Sequence, residues 1–203
     1  MKIKNLFSLA AIAFVLITSC KKSDTPSETV VPEPVASATP LAVFQSSAAN
    51  YQLYVYRLDE TTNTWTKRIA SHFSTIAEST PTALGFTNPY VADSGVNLFQ
   101  MVTLYTDAIG TNNIKEAKIN ASAVLEFFPS ETGAKTGTVK VIAQDIVITK
   151  KAGGTFKIGI SGDGKYDEAT KVIDLVVKFN ETAIGGAAEV KRTYKLAVDA
   201  LTL

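Results

Sequence analysis

The sequence predicts an all-β domain, either an antiparallel β-sandwich or a small lipocalin-like β-barrel of about eight or nine strands. Three observations carry that expectation. Apolar residues recur with a period of two along most of the chain after Val43. Short turn signals rich in Asp, Gly, Asn and Thr separate these runs. No long segment has a convincing helical period, and no repeat of solenoid length is present.

The elements follow in order. Tyr51–Leu58 and Trp65–Ile69 read as an opening hairpin around Asp59-Glu60-Thr61-Thr62-Asn63-Thr64. Val96–Tyr105 is apolar on both faces, with Phe99, Met101 and Tyr105 opposite Leu98, Val102 and Leu104. It reads as a strand that is either central and covered or lines a ligand cavity. In Ile114–Phe128, Ile119, Ala121, Ala123, Leu125 and Phe127 alternate as a strand, with a helix as the rival reading. In Thr138–Ile148 the apolar phase slips from Val139 and Val141 to Ile142, Ile146 and Ile148, the signature of a β-bulge. Phe156, Ile158 and Ile160 share a parity with Gly162, Gly164 and Tyr166. The parity restarts at Ile173, Leu175, Val177 and Phe179. Arg192, Tyr194, Leu196 and Val198 form the last alternating run.

The stretch Ser161–Val177 packs Asp163, Asp167, Glu168 and Asp174 close together and invites a metal reading. A calcium loop counted from Asp163 has Glu168 where the sharp-turn glycine belongs and lacks the terminal bidentate acid. No strand–loop–helix with Gly-Lys-Ser/Thr surrounds the glycines. The same grammar recurs at Asp59–Thr64, so the acidic cluster reads as the loop of a hairpin, with a looser site on Asp163, Asp167 and Glu168 as the rival.

The first twenty residues carry an address. Lys2 and Lys4 form a basic region, and Leu6–Ile17 an apolar run too short for a bilayer core of about 20 residues. The run ends in Leu16-Ile17-Thr18-Ser19-Cys20, which resembles the lipobox of bacterial lipoproteins. The resemblance implies that residues 1–19 are a signal peptide and that Cys20 carries a lipid anchor in the cell envelope. Several acyl chains hold a protein stably where one holds it marginally. Ser19–Glu28 is also similar to the start of many Bacteroidota lipoproteins, which points to the outer membrane without choosing its face. Residues 20–42 hold Pro26, Pro32, Pro34 and Pro40 and read as an extended tether. Residues 43–203 read as a single β-rich domain.

Composition narrows the chemistry. Twenty basic and nineteen acidic residues leave no basic surplus for a nucleic-acid partner. Cys20 is the sole cysteine and His72 the sole histidine, so neither a thiolate nor a His-rich metal site is expected, nor any cofactor. Gly159-Ile160-Ser161-Gly162-Asp163 misses the nucleophile elbow in its last residue. A carboxylate pair for glycoside hydrolysis leaves no sequence signature. The aromatics are more informative. Tyr54 and Tyr56 share one face of the first strand, with Trp65 across the hairpin, and they form either a platform for sugar rings or core. The reading is a lipid-anchored, non-enzymatic domain that binds a glycan or small ligand. The alternatives are an assembly subunit that binds another envelope protein and, more remotely, a carboxylate-dependent glycoside hydrolase.

Overall fold

Ten strands and one helix form in the computed structural model, which describes residues 41–45, 52–78, 90–93, 95–108, 114–119, 123–184 and 188–203. The residues expected to form a signal peptide, Cys20 and nearly all of those expected to form a tether lie outside the described residues. All described residues belong to one compact unit, Ala36–Leu203.

The strands are β1 (Gln52–Asp59), β2 (Thr64–Ser71), β3 (Ile76–Glu78), β4 (Tyr90–Ala92), β5 (Ile114–Ile119), β6 (Leu125–Pro129), β7 (Thr136–Lys150), β8 (Thr155–Asp167), β9 (Val172–Phe179) and β10 (Val190–Ala197). They make one curled, half-barrel sheet in the order β2-β1-β10-β9-β8-β7-β6-β4-β3, with β5 beside the far half of β7. Every pairing between these strands is antiparallel. The all-β, barrel-like class is therefore as the sequence implies, in a single wrapped sheet with one strand more than the upper expectation.

Alternation makes one face of this sheet apolar. Leu53 and Val55 on β1, Leu196 and Tyr194 on β10, Ile173, Leu175, Val177 and Phe179 on β9, and Ile158, Ile160 and Tyr166 on β8 are all buried in one core. The phase slip in Thr138–Ile148 is a bulge, because the β7–β8 register shifts between Val141 and Gln144. One side of β7 then pairs with β6 and, past the bulge, with β5. The expected strand over Ile114–Phe128 is accordingly two strands, β5 and β6.

The expected strand at Val96–Tyr105 is instead a helix, α1 (Gly95–Ala108). Leu98, Met101, Val102 and Tyr105 lie at i, i+3, i+4 and i+7 and are fully buried, as is Leu104. The helix packs against β1, β2 and β5 and fills the inside of the curl. It misleads a period count because its polar stripe, Gln100, Thr103 and Asp107, is narrow and only partly exposed, with the apolar Phe99 and Leu104 to either side. The hydroxyls of Thr103 and Thr106 are absorbed by the carbonyls of Phe99 and Val102 one turn back, at 2.8 and 3.0 Å.

The domain begins earlier than residue 43. Leu41, which caps a short 3-10 turn, and Phe44, the last residue of that turn, are fully buried. The Phe44 ring stacks on Phe127 at 6.3 Å and meets Tyr166 edge-on at 6.5 Å.

Candidate functional site

The acidic stretch is a hairpin, built twice to one plan. At the β1–β2 turn, the Asp59 carboxylate accepts the N–H groups of Thr61 and Thr62 at 2.9 and 3.1 Å. Those two bonds hold its ionisation below the usual carboxylate range. At the β8–β9 turn, Asp167 accepts the N–H groups of Ala169 and Thr170 at 2.8 and 3.4 Å. Four residues after each aspartate, Asn63 and Lys171 adopt the left-handed conformation, at φ 54° and 58°. Glu168 is bonded by the Leu41 N–H, though burial is the larger influence and raises its ionisation. Asp163 stands on β8 opposite Lys140. Among the described residues no cluster of three or more His, Cys, Asp or Glu side chains is placed to hold a metal.

The aromatic candidates fall on the outer face of the sheet, opposite the core. Register places Tyr54 beside Ile69 and Ala197, Tyr56 beside Lys67 and Lys195, and Leu58 beside Trp65. Tyr54 and Trp65 are partly exposed, and Ile69 is 49% exposed. A lysine ammonium lies over each ring, Lys67 at 5.5 Å from Tyr54 and Lys195 at 5.7 Å from Trp65. Lys195 also pairs with Asp174 of the next strand. Tyr56 differs from its neighbours. The segment after β10 folds over it, and the Leu201 N–H donates to its hydroxyl at 2.9 Å, leaving it buried.

The cavity candidates separate. Met101 and Tyr105 are fully buried in the packed core inside the sheet. Phe99, on the other side of α1, lines a surface groove of about 400 Å³ with Thr103, Asp107, Arg68, Ile114 and Lys151. This groove follows the seam where α1 lies between β2 and β5, and the Arg68–Asp107 ion pair bridges it.

Sequence reasoning missed a polar cluster on the core face. The Tyr105 hydroxyl donates to Glu181, and the Tyr105 ring stacks on Phe179 at 4.0 Å, nearly parallel. Arg192 stands 6.0 Å from the same ring and 3.9 Å from Glu181. Tyr194 donates to the Met101 carbonyl at 3.0 Å, and Arg57 is its cross-strand partner on β1. Burial raises the ionisation of both tyrosines far above the ordinary phenol range. The only sequence signal was Arg57 and Arg192 occupying positions with the parity of core residues.

Two acids share a groove elsewhere. Asp145 and Glu189, with Gln144, Ser161, Lys178 and Asn180, line about 440 Å³ beside the β7 bulge. His72 is buried next to Phe73. Among the described residues no helix is long and apolar enough to cross a membrane. In comparisons with known proteins, no family model, no curated protein and no solved structure matches this chain.

Proposed function

We propose that this chain is a lipid-anchored envelope protein whose domain binds an acidic glycan, without catalysis, on the outer face of β1 and β2. The observation that carries the reading is the pairing of two partly exposed rings, Tyr54 and Trp65, with the ammonium groups of Lys67 and Lys195. An aromatic face offers apolar contact to the C–H face of a sugar. A neutral sugar would have to displace the lysine from the ring. A uronic acid or sulfated sugar gives the lysine a counter-charge while its C–H face meets the ring, so the displaced cation–π contact, about 0.5–1 kcal/mol at an exposed site, is replaced. The lipobox-like segment ending in Cys20 supports the anchor, and the proline-rich stretch before Leu41 supports presentation away from the bilayer. Docking through a sheet edge has less support. The β2 edge carries Lys67 and Arg68 at mid-strand and β3 is only three residues long, both devices that discourage edge pairing.

The test is a glycan array probed with the full chain in uncharged detergent, covering neutral, uronic-acid and sulfated oligosaccharides. Acidic glycans should bind, and Tyr54→Ala or Trp65→Ala should weaken binding at least about tenfold, roughly 1.4 kcal/mol. Lys67→Gln should flatten the salt dependence. Equal binding of neutral glycans would refute the charge requirement. Silence across the array, with an envelope protein co-purifying, would replace this reading by the assembly-subunit one.

A further inference from the structure

We infer that the glycan site on the outer face extends past Trp65 into a groove on β7, β8 and β9 that takes an uncharged sugar unit. Resting on the aromatic platform proposed above, this makes the ligand an oligosaccharide of mixed charge, acidic at one unit and neutral at another. Thr138, Lys165, Asp174, Lys195, Tyr56 and Lys67 form one rung that crosses six neighbouring strands from β7 to β2. At about 4.8 Å per strand, the middle of the groove on β8 lies roughly 19 Å across the sheet from Lys67 on β2. A single sugar ring does not span that distance.

The groove encloses about 490 Å³, within the range of about 300–1,000 Å³ usual for small-ligand sites. Thr138, Lys165 and Asp174 line it on that rung, and Thr136, Asp167 and Val172 on the adjoining one, with Thr170 at the rim. Tyr56 and Ala197 are buried, so the exposed way from the rings to the groove runs by Trp65, Lys195 and Asp174. Lys195 stands 5.7 Å from the Trp65 ring and pairs with Asp174, whose side chain is 57% exposed. One ion pair therefore separates the platform from the groove.

Charge divides the two parts. Lys67 enters none of the ion pairs among the described residues, so an acidic unit over Tyr54 finds an uncommitted ammonium. In the groove the charges balance. Asp174 holds Lys195, the Asp167 carboxylate accepts two turn N–H groups, and Lys165 stands across from Asp174. With two carboxylates against Lys165 and Lys195, an acidic unit there would lose hydration without gaining a counter-charge. Thr136 and Thr138 offer hydroxyls that both donate and accept, as a sugar's own hydroxyls require, and Val172 offers apolar contact to its C–H groups.

The experiment is a calorimetric titration of the full chain in uncharged detergent with three ligands. They are a disaccharide containing one uronic acid, tetrasaccharides that extend it with neutral units at either end, and a tetrasaccharide of uronic acids alone. Neutral extension at one end should tighten binding about tenfold, and the all-acidic chain should not match it. Thr138→Trp, which fills the groove from an exposed position, should remove the gain and leave the affinity for the disaccharide unchanged. Thr170→Trp at the rim should act the same way, whereas Tyr54→Ala should weaken every ligand. If the disaccharide binds but neutral extension adds nothing, if the all-acidic chain gains equally, or if both tryptophan variants keep the gain, the groove assignment is overturned and the platform stands alone. If no acidic ligand binds, the platform fails and its extension with it. The comparison of ligands on the unmodified chain decides even where a variant does not fold.

Discussion

Tyr166 concentrates much of what individual residues do in this domain. Its ring covers Gly137 across the β7–β8 pair, where an added Cβ would come within 2.8 Å of it, and meets Phe127 edge-on at 5.3 Å. Its hydroxyl is buried with no hydrogen-bond partner among the described residues. Burial pushes its ionisation up to about 12. The folded value lies above the unfolded one near 10, so this residue's contribution is complete below about pH 10 and disappears as pH rises through about 12. Tyr166→Phe removes a desolvated, unbonded group. The variant should match the wild type at pH 7 or gain up to about 1 kcal/mol, and its alkaline unfolding midpoint should move upward. Urea melts at pH 7 and a circular-dichroism titration to high pH check this. A loss of more than about 1 kcal/mol would mean the hydroxyl is satisfied after all.

At the scale of elements, the glycines of the acidic stretch find their reason in the curl of the sheet. On β8 a Cβ at Gly164 would lie 1.9 Å from the Asp174 carbonyl oxygen of β9, and one at Gly162 would lie 2.5 Å from that of Val176. The strands can bend tightly here because nothing projects between them. Gly159, on the same strand, would meet the Asn180 Cβ at 3.4 Å and the Asp145 Oδ1 at 3.8 Å, both ordinary contacts. Gly164→Ala should therefore cost about 2–3 kcal/mol, and Gly159→Ala well under about 1, read from urea unfolding midpoints at unchanged slope. The two hairpin turns were legible in the sequence because Asp59 and Asp167 act within three residues of themselves, a range over which local chemistry decides. Helix α1 was not. Leu98, Met101, Val102 and Tyr105 spell a helical stripe, but Leu104 and Phe99 fill in the other sides, and the same letters alternate as a strand.

For the whole molecule, the chain leading into the domain is part of its core. Leu41 and Phe44 pack beneath the sheet beside Phe73, Phe127 and Tyr166, and the Phe73 N–H donates to the Phe44 carbonyl at 3.2 Å. A chain that starts at Ala36 should keep the thermal midpoint of the complete protein, whereas one that starts at Gln45 should lose about 3–5 kcal/mol, the cost of emptying a buried phenylalanine site. Thermal unfolding of the two truncations measures this. Equal midpoints would show that the Leu41–Phe44 segment lies on the core without supporting it.

The sequence by itself determined the strands β1, β2 and β7 to β10, the bulge in β7, the two Asp-led turns and the faces of β1. Each rests on alternation or on contacts within a few residues, and alternation records which side of a strand meets water. Only the tertiary structure decided the rest. It set the partition of Tyr54, Tyr56 and Trp65 between exposure and burial, because the segment that covers Tyr56 comes from the far end of the chain. It placed a helix inside the curl, since packing against β1, β2 and β5 calls for apolar residues on most of its circumference and narrows the polar stripe that would announce one. It also brought Tyr105 of the helix to Glu181 and Arg192 near the other end of the chain, and no local pattern encodes that meeting.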